Sequence, residues 1–312
     1  MLGTLATVFG DQIRRVLKAS KVPTVVTEDN VYQEGDPVIL SILDEMIIRL
    51  ALPNSGVAGM KNLEELFDKA KSGKSCLLLV EHYSNMDLSV VSYLTRNAGG
   101  RGEEIGNSII AISGMKLNED NPAVAAFTGA YNKIVICPSR SLQHLDPEKD
   151  KDEIQRGNAI NRAAMKALMN VKCAGHLILL FPSGTRYRPW DPSTKQGVRE
   201  IDSYIKSFDY MCLVAINGQI LHVRQGDMMD DPVSKDVVRL SIGPVVSCAE
   251  FRDRVRAGVD AAAASGAVSG AASDAAPGGE KPADKKQAVA DAIMAELEKM
   301  HVEGEEKRKR FL

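Results

Sequence analysis

Apolar residues recur every three to four positions at the start of the chain. Leu2, Leu5, Phe9, Ile13 and Val16 share one helical face and Arg14, Arg15 and Lys18 lie outside it, which predicts an amphipathic helix. A second helix is expected over 38–50. From residue 60 the pattern alternates between helical spacing and short, continuous apolar runs of the kind that form buried strands. It predicts helix over 60–71, strand over 75–80, helix over 88–96, strand over 108–112, helix over 122–131 and strand over 133–136. After a polar loop come helix over 157–170, strand over 176–181, helix over 198–208, and strands over 211–216 and 237–242. Strands that alternate with helices imply an α/β fold with a mainly parallel central sheet flanked by helices, here with a short N-terminal helical segment.

Residues 257–286 are dominated by Ala, Gly, Ser and Pro, which offers little to pack and predicts a linker or insertion. Beyond it Val289, Ile293, Leu297 and Met300 return to helical spacing, so a final helix should dock back on the domain. The expected organisation is an N-terminal helical segment (1–55), an α/β domain (56–256), an Ala/Gly-rich linker (257–284) and a C-terminal amphipathic helix (285–312). Amphipathic faces are most often core faces, so packing is expected for the first helices over an interfacial position on a membrane. The basic run 307–310 adds a weak attraction to anionic lipid.

Composition narrows the function. The 312 residues carry 44% hydrophobic and 26% charged side chains with a net charge of -2. That balance is ordinary for a globular enzyme and argues against general nucleic-acid binding. No apolar run reaches the length of a membrane span, and the first residues lack the pattern of a signal peptide. Cys76, Cys137, Cys173, Cys212 and Cys248 are scattered with no C-x-x-C pair, as expected for reduced core residues of a cytoplasmic protein. The expected location is cytoplasmic, with peripheral attachment to the inner face of the membrane left open.

The strongest chemical signal is Glu81-His82-Tyr83-Ser84-Asn85-Met86-Asp87, where an apolar strand ends and a helix begins. Open α/β folds place their sites at the carboxyl ends of the strands. There an imidazole can remove a hydroxyl proton, and a carboxylate five residues on can fold back to fix its tautomer. Taken alone, the pair is also what a helix cap and an ordinary loop histidine would give. A second signal, 181–189, follows another strand: Ser183, Gly184 and Thr185 let backbone N–H groups approach an anion, and Arg186 and Arg188 can grip a phosphate. Arg140 and Lys116 stand after two further strands, so several strand ends should present cations on one sheet edge. His144, in the polar loop after Arg140, is a lesser candidate, while His176, His222 and His301 are expected to be structural. Gly73-Lys74-Ser75 precedes a strand instead of opening a helix, unlike a phosphate-binding loop.

His82 and Asp87 in an H-x4-D motif, followed by Pro182-Ser183-Gly184-Thr185-Arg186-Tyr187-Arg188-Pro189, resemble the glycerolipid acyltransferase superfamily and, within it, the soluble chloroplast-type glycerol-3-phosphate acyltransferases. The likeness covers 61–221. It implies transfer of a fatty acyl group from an acyl carrier protein or coenzyme A thioester to the sn-1 hydroxyl of glycerol-3-phosphate, the first step of phospholipid synthesis. His82 would be the base, Asp87 its orienter, and Arg186, Arg188 and Arg140 phosphate contacts; no metal or other cofactor is implied. Backbone N–H groups near Ser84 are the expected donors to the oxyanion. The related alternative acceptor is lysophosphatidate, and a non-catalytic lipid-binding scaffold is the rival of another class. Two departures stand out: Glu81 replaces the usual asparagine and sets a negative charge beside the base, and Ser139-Arg140-Ser141-Leu142 stands where the relatives carry a lysine-rich stretch with histidine.

Overall fold

The computed structural model describes residues 1–143, 145–264 and 284–312. Its helices are α1 (Leu5–Ala19), α2 (Pro37–Leu50), α3 (Met60–Lys71), α4 (Asp87–Arg96), α5 (Gly102–Asn107) and α6 (Lys116–Glu119). They continue with α7 (Pro122–Thr128), α8 (Ser139–Leu142), α9 (Lys151–Val171), α10 (Ile201–Ser207), α11 (Cys248–Ala264) and α12 (Lys285–Arg308). The strands are β1 (Gly3–Thr4), β2 (Tyr32–Gln33), β3 (Gly56–Ala58), β4 (Cys76–Val80), β5 (Ile109–Gly114) and β6 (Lys133–Ile136). After them come β7 (Leu177–Leu180), β8 (Tyr210–Asn217), β9 (Pro232–Val233), β10 (Arg239–Ile242) and β11 (Val246–Ser247).

The main sheet has the order β2-β6-β5-β7-β4-β8-β10-β3, with β11 paired on β8. From β6 to β8 every neighbouring pair is parallel, so β6, β5, β7, β4 and β8 all point their carboxyl ends to one edge. Strand period 2 divides the core between the two faces. Cys76, Leu78 and Val80 of β4 join Leu177, Leu179, Cys212 and Val214 beneath α1 to α5 and α7. Leu77 and Leu79 join Ile178, Leu180, Met211 and Leu213 beneath α9 to α12. Five consecutive buried residues in β4 explain why its run is continuous and not alternating: both faces are covered. A slip of one residue would exchange the two faces, so register is strongly specified.

The fold is the expected α/β arrangement with a mostly parallel sheet flanked by helices and an N-terminal helix. The apolar face of α1 is buried through Leu5, Phe9, Ile13 and Val16 and packs on α2 and α7; Leu2 lies outside the helix and is exposed. α12 docks through Val289, Ala290, Ile293 and Leu297 against β8 and β10. Gly304 permits that approach, because a Cβ there would lie 2.0 Å from Asn217 Oδ1.

Some elements differ from expectation. The stretch from 257 begins as helix, since α11 continues to Ala264; residues 265–283 lie outside the described residues, as does His144. α11 is tied down by Arg252 on the buried Asp202 of α10, at 2.7 Å, a tertiary partner that Ala-rich composition does not announce. Cys173 is exposed, not a core residue, while the other four cysteines are buried. Within the basic run 307–310, Arg308 is turned onto Asp236 (2.7 Å) and Glu305, while Lys309 pairs with Glu306 at the surface. Among the described residues no helix is long and apolar enough to cross a membrane.

Candidate active site

β4 stops at the first polar residue, Glu81, and the chain turns through 81–86 into α4. Asp87, in the first turn of α4, is almost fully buried, and its carboxylate organises this turn. Oδ2 accepts from His82 Nδ1 at 2.9 Å and from the backbone N–H groups of Tyr83 and Ser84, while Oδ1 accepts from the Ser84 hydroxyl at 2.7 Å. A buried carboxylate needs such donors, and Asp87 has four. With Nδ1–H donating to Asp87, the tautomer of His82 is fixed and Nε2 is left with its lone pair. The imidazole also stacks on Phe181, with ring centroids 3.9 Å apart and planes at 14°.

The loop after β7 is sewn to this turn. Tyr187 N–H donates to the His82 carbonyl at 2.8 Å. Gly184 sits at φ +64, a conformation that favours glycine, and a Cβ there would lie 3.2 Å from Val198 Cγ1. Within the loop Gly184 N–H donates to the Phe181 carbonyl, Arg188 N–H to Thr194 Oγ1, and the Ser183 hydroxyl to the Thr185 carbonyl. The same loop carries the guanidinium groups of Arg186 and Arg188.

Those groups are unequal. Arg186 lies 3.6 Å from Asp231, a carboxylate with 1% side-chain exposure. Burial lowers the Arg186 pKa and the nearby Arg188 reinforces this, while Asp231 and Asp87 oppose it. Burial likewise raises the Asp231 pKa, against the Arg224 N–H and Arg186. Arg188, Arg140 and Lys116 have no ion-pair partner among the described residues. Lys116 opens α6 after β5, and Arg140 lies in α8 after β6; both are exposed. Since β5, β6 and β7 are parallel, the structure puts all four cations at the edge that carries His82, as the alternation of elements predicts. Asp231 was not legible in the sequence: it arrives on the loop after β8, held by Leu5 N–H donating to its carbonyl.

Glu81 does not stand as a free charge beside the base. Its carboxylate accepts from Ile216 N–H at 2.8 Å, from the Tyr83 hydroxyl at 3.0 Å and pairs with His301 Nδ1 at 3.0 Å. Burial, then Glu81, raise the Tyr83 pKa, keeping the phenol protonated as a donor. His301, expected to be a plain structural residue of the last helix, thus binds the two residues that flank His82, and its backbone carbonyl accepts from Asn217 Nδ2. His176 meets the Ser108 carbonyl and His222 the Ser234 hydroxyl, as expected for structural residues.

Of the backbone N–H groups near Ser84 expected to stabilise an oxyanion, that of Ser84 itself is spent on Asp87. Asn85 Nδ2 in the same turn is a buried donor with no partner. Beside His82 a cleft of about 370 Å³ opens between the 183–197 loop and α12. Among the described residues no cluster of His, Cys, Asp or Glu side chains is arranged to hold a metal ion.

A base with a fixed tautomer, its orienting carboxylate and a set of cations can together abstract a hydroxyl proton from an anionic substrate. No protein-family model matches the chain. Over 141 residues, 45% of this chain, it is 29% identical to "Glycerol-3-phosphate acyltransferase, chloroplastic" of Arabidopsis thaliana; the matched part is 29% of that relative's length. The similarity supports an acyltransferase relationship and a place in lipid metabolism.

Proposed function

We propose that the chain transfers a fatty acyl group from an acyl thioester to the sn-1 hydroxyl of glycerol-3-phosphate. The observation that carries this reading is the His82–Asp87 pair, 2.9 Å apart, standing at a sheet edge that also gathers Arg186, Arg188, Arg140 and Lys116. His82 Nε2 takes the hydroxyl proton as the oxygen attacks the thioester carbonyl, and Asp87 stabilises the imidazolium. The tetrahedral intermediate collapses by breaking the C–S bond, and His82 returns the proton to the departing thiolate. The cations hold the acceptor phosphate away from the reacting atoms, which orients the hydroxyl and supplies rate through binding energy. The reading needs no metal or other cofactor.

The test offers radiolabelled glycerol-3-phosphate and lysophosphatidate side by side, with acyl groups on coenzyme A and on acyl carrier protein. Labelled lysophosphatidate formed by the native protein and lost in His82→Ala is the expected result. Transfer onto lysophosphatidate alone would assign the related acceptor instead. No transfer to either acceptor would leave the scaffold reading.

A further inference from the structure

Glu81 precedes the base by one residue, and its side chain is only 5% exposed. A carboxylate here is the chain's departure from the family it resembles, and a buried charge is tolerated only with a partner. Two of its partners, the Ile216 N–H and the Tyr83 hydroxyl, are neutral. The third, His301 Nδ1 at 3.0 Å, is the one group among the described residues that pairs a positive charge with it. The other carboxylates near His301 have cations of their own: Glu298 pairs with Lys195, and Glu305 with Arg308 at 2.7 Å.

The pairing matters for His82 because a negative charge left beside an imidazole stabilises its protonated form. A protonated His82 has no lone pair with which to take a hydroxyl proton. Asp87 already sets one carboxylate on Nδ1 of the base, and an uncompensated Glu81 would add a second charge of the same sign. Tertiary placement delivers the compensation. On β8, Ile216 holds Glu81 while its neighbour Asn217 donates through Nδ2 to the His301 carbonyl at 2.8 Å, so one strand brings both members of the pair together. The Tyr83 hydroxyl lies 3.2 Å from His301 Nδ1 as well, which closes a triangle of carboxylate, phenol and imidazole. Burial works against a charge on His301, yet the bond to Glu81, with Glu298 and Glu305 nearby, raises its pKa above the ordinary histidine value.

Resting on the acyl-transfer reading above, we propose that His301 is a positioning residue that acts through Glu81: its imidazolium supplies the counter-charge that keeps the Glu81 carboxylate from holding a proton on His82. The last helix then contributes to the reaction without touching a substrate, by a charge delivered from beyond the Ala-rich stretch.

The experiment measures kcat and KM for acyl transfer from about pH 5.5 to about pH 9 in the native protein, His301→Gln, His301→Ala and the double variant Glu81→Gln/His301→Gln. His301 is half-buried, so thermal melts should show the variants folded. Gln keeps a donor for Glu81 and Ala keeps none, but both remove the charge. In both, the acid limb of kcat/KM is expected to move up by roughly 0.5–1 pH unit, a loss of about three- to tenfold near pH 6 that fades toward higher pH. KM for the acceptor should scarcely change, and removing the Glu81 charge as well should return the limb to its native position. A fall of equal size at every pH would mark a merely structural role and overturn the proposal, as would a limb that stays in place in His301→Gln or is not restored in the double variant. If the native protein transfers no acyl group at all, the acyl-transfer reading fails and the pairing is judged separately by diethyl pyrocarbonate, which modifies unprotonated imidazole, with His82 labelling followed against pH by mass spectrometry. A labelling midpoint that moves up in His301→Gln and returns in the double variant supports the pairing; an unmoved midpoint sinks it.

Discussion

On one flank of His82, β7, β5 and β6 end in loops that carry Arg186, Arg188, Lys116 and Arg140. On the other, α12 lies across β8 and β10 and offers Met294, Ala295 and Leu297 to the cleft. The first flank is assembled by strand order alone, because parallel neighbours bring their carboxyl ends together. The second depends on docking of a distant helix, through the seam Val289, Ile293 and Leu297 and through His301 on Glu81. Charge placed by strand ends survives the loss of any one side chain. A wall formed by a docked helix stands or falls with the packing beneath it.

His82→Ala tests what both flanks share. It should lower kcat by roughly 10²- to 10⁴-fold for every acceptor, with acceptor binding retained. A loss confined to one acceptor would mean that the two flanks do not meet at this residue.

Within the cationic flank the two arginines should separate. Arg186→Ala leaves Asp231 buried without its cation, so it should cost about 3 kcal/mol of stability in denaturant titration as well as activity. Arg188→Ala should leave stability unchanged and lower kcat/KM for glycerol-3-phosphate about ten- to a hundredfold, while activity on plain glycerol scarcely moves. Equal loss on both acceptors would remove Arg188 from the phosphate site.

The smallest effect belongs to the helical flank and follows pH. Burial opposes a charge on His301, but its bond to Glu81, with Glu298 and Glu305 nearby, raises the pKa above the ordinary histidine value. The facing groups are Glu81 and Tyr83 from the turn after β4 and Glu298 and Glu305 on α12 itself. A raised histidine contributes stability that is full below the unfolded value, about 6.5, and is lost as pH rises through the folded value. Melting temperature should therefore decline more steeply above neutral pH in the native protein than in His301→Gln. Identical slopes would show that the pair does not couple α12 to the turn.

Much of the candidate site was legible because its determinants are local. Asp87 lies five residues from His82, within reach of a single turn, and Gly184 marks a bend that favours glycine. Other features were not, for a common reason. The Ser84 N–H looked available at a helix start, yet the carboxylate it precedes needed it more. Arg186 looked like a free cation until the loop after β8 brought Asp231 to it. α11 was hidden because its Ala-rich sequence carries few large apolar residues, and its anchor is an ion pair to α10.

The sequence by itself determined the strands, their two apolar faces, the alternation that makes the sheet parallel, and the spacing that joins His82 to Asp87. These are short-range properties, set by periods of two and about 3.6 residues and by the reach of one turn. The tertiary structure alone decided which cation is paired, which N–H groups remain free, and that His301 and the cleft wall come from the end of the chain. Those contacts join segments far apart in sequence, and a local period carries no information about which distant segment will compete for a donor, a charge or an apolar surface.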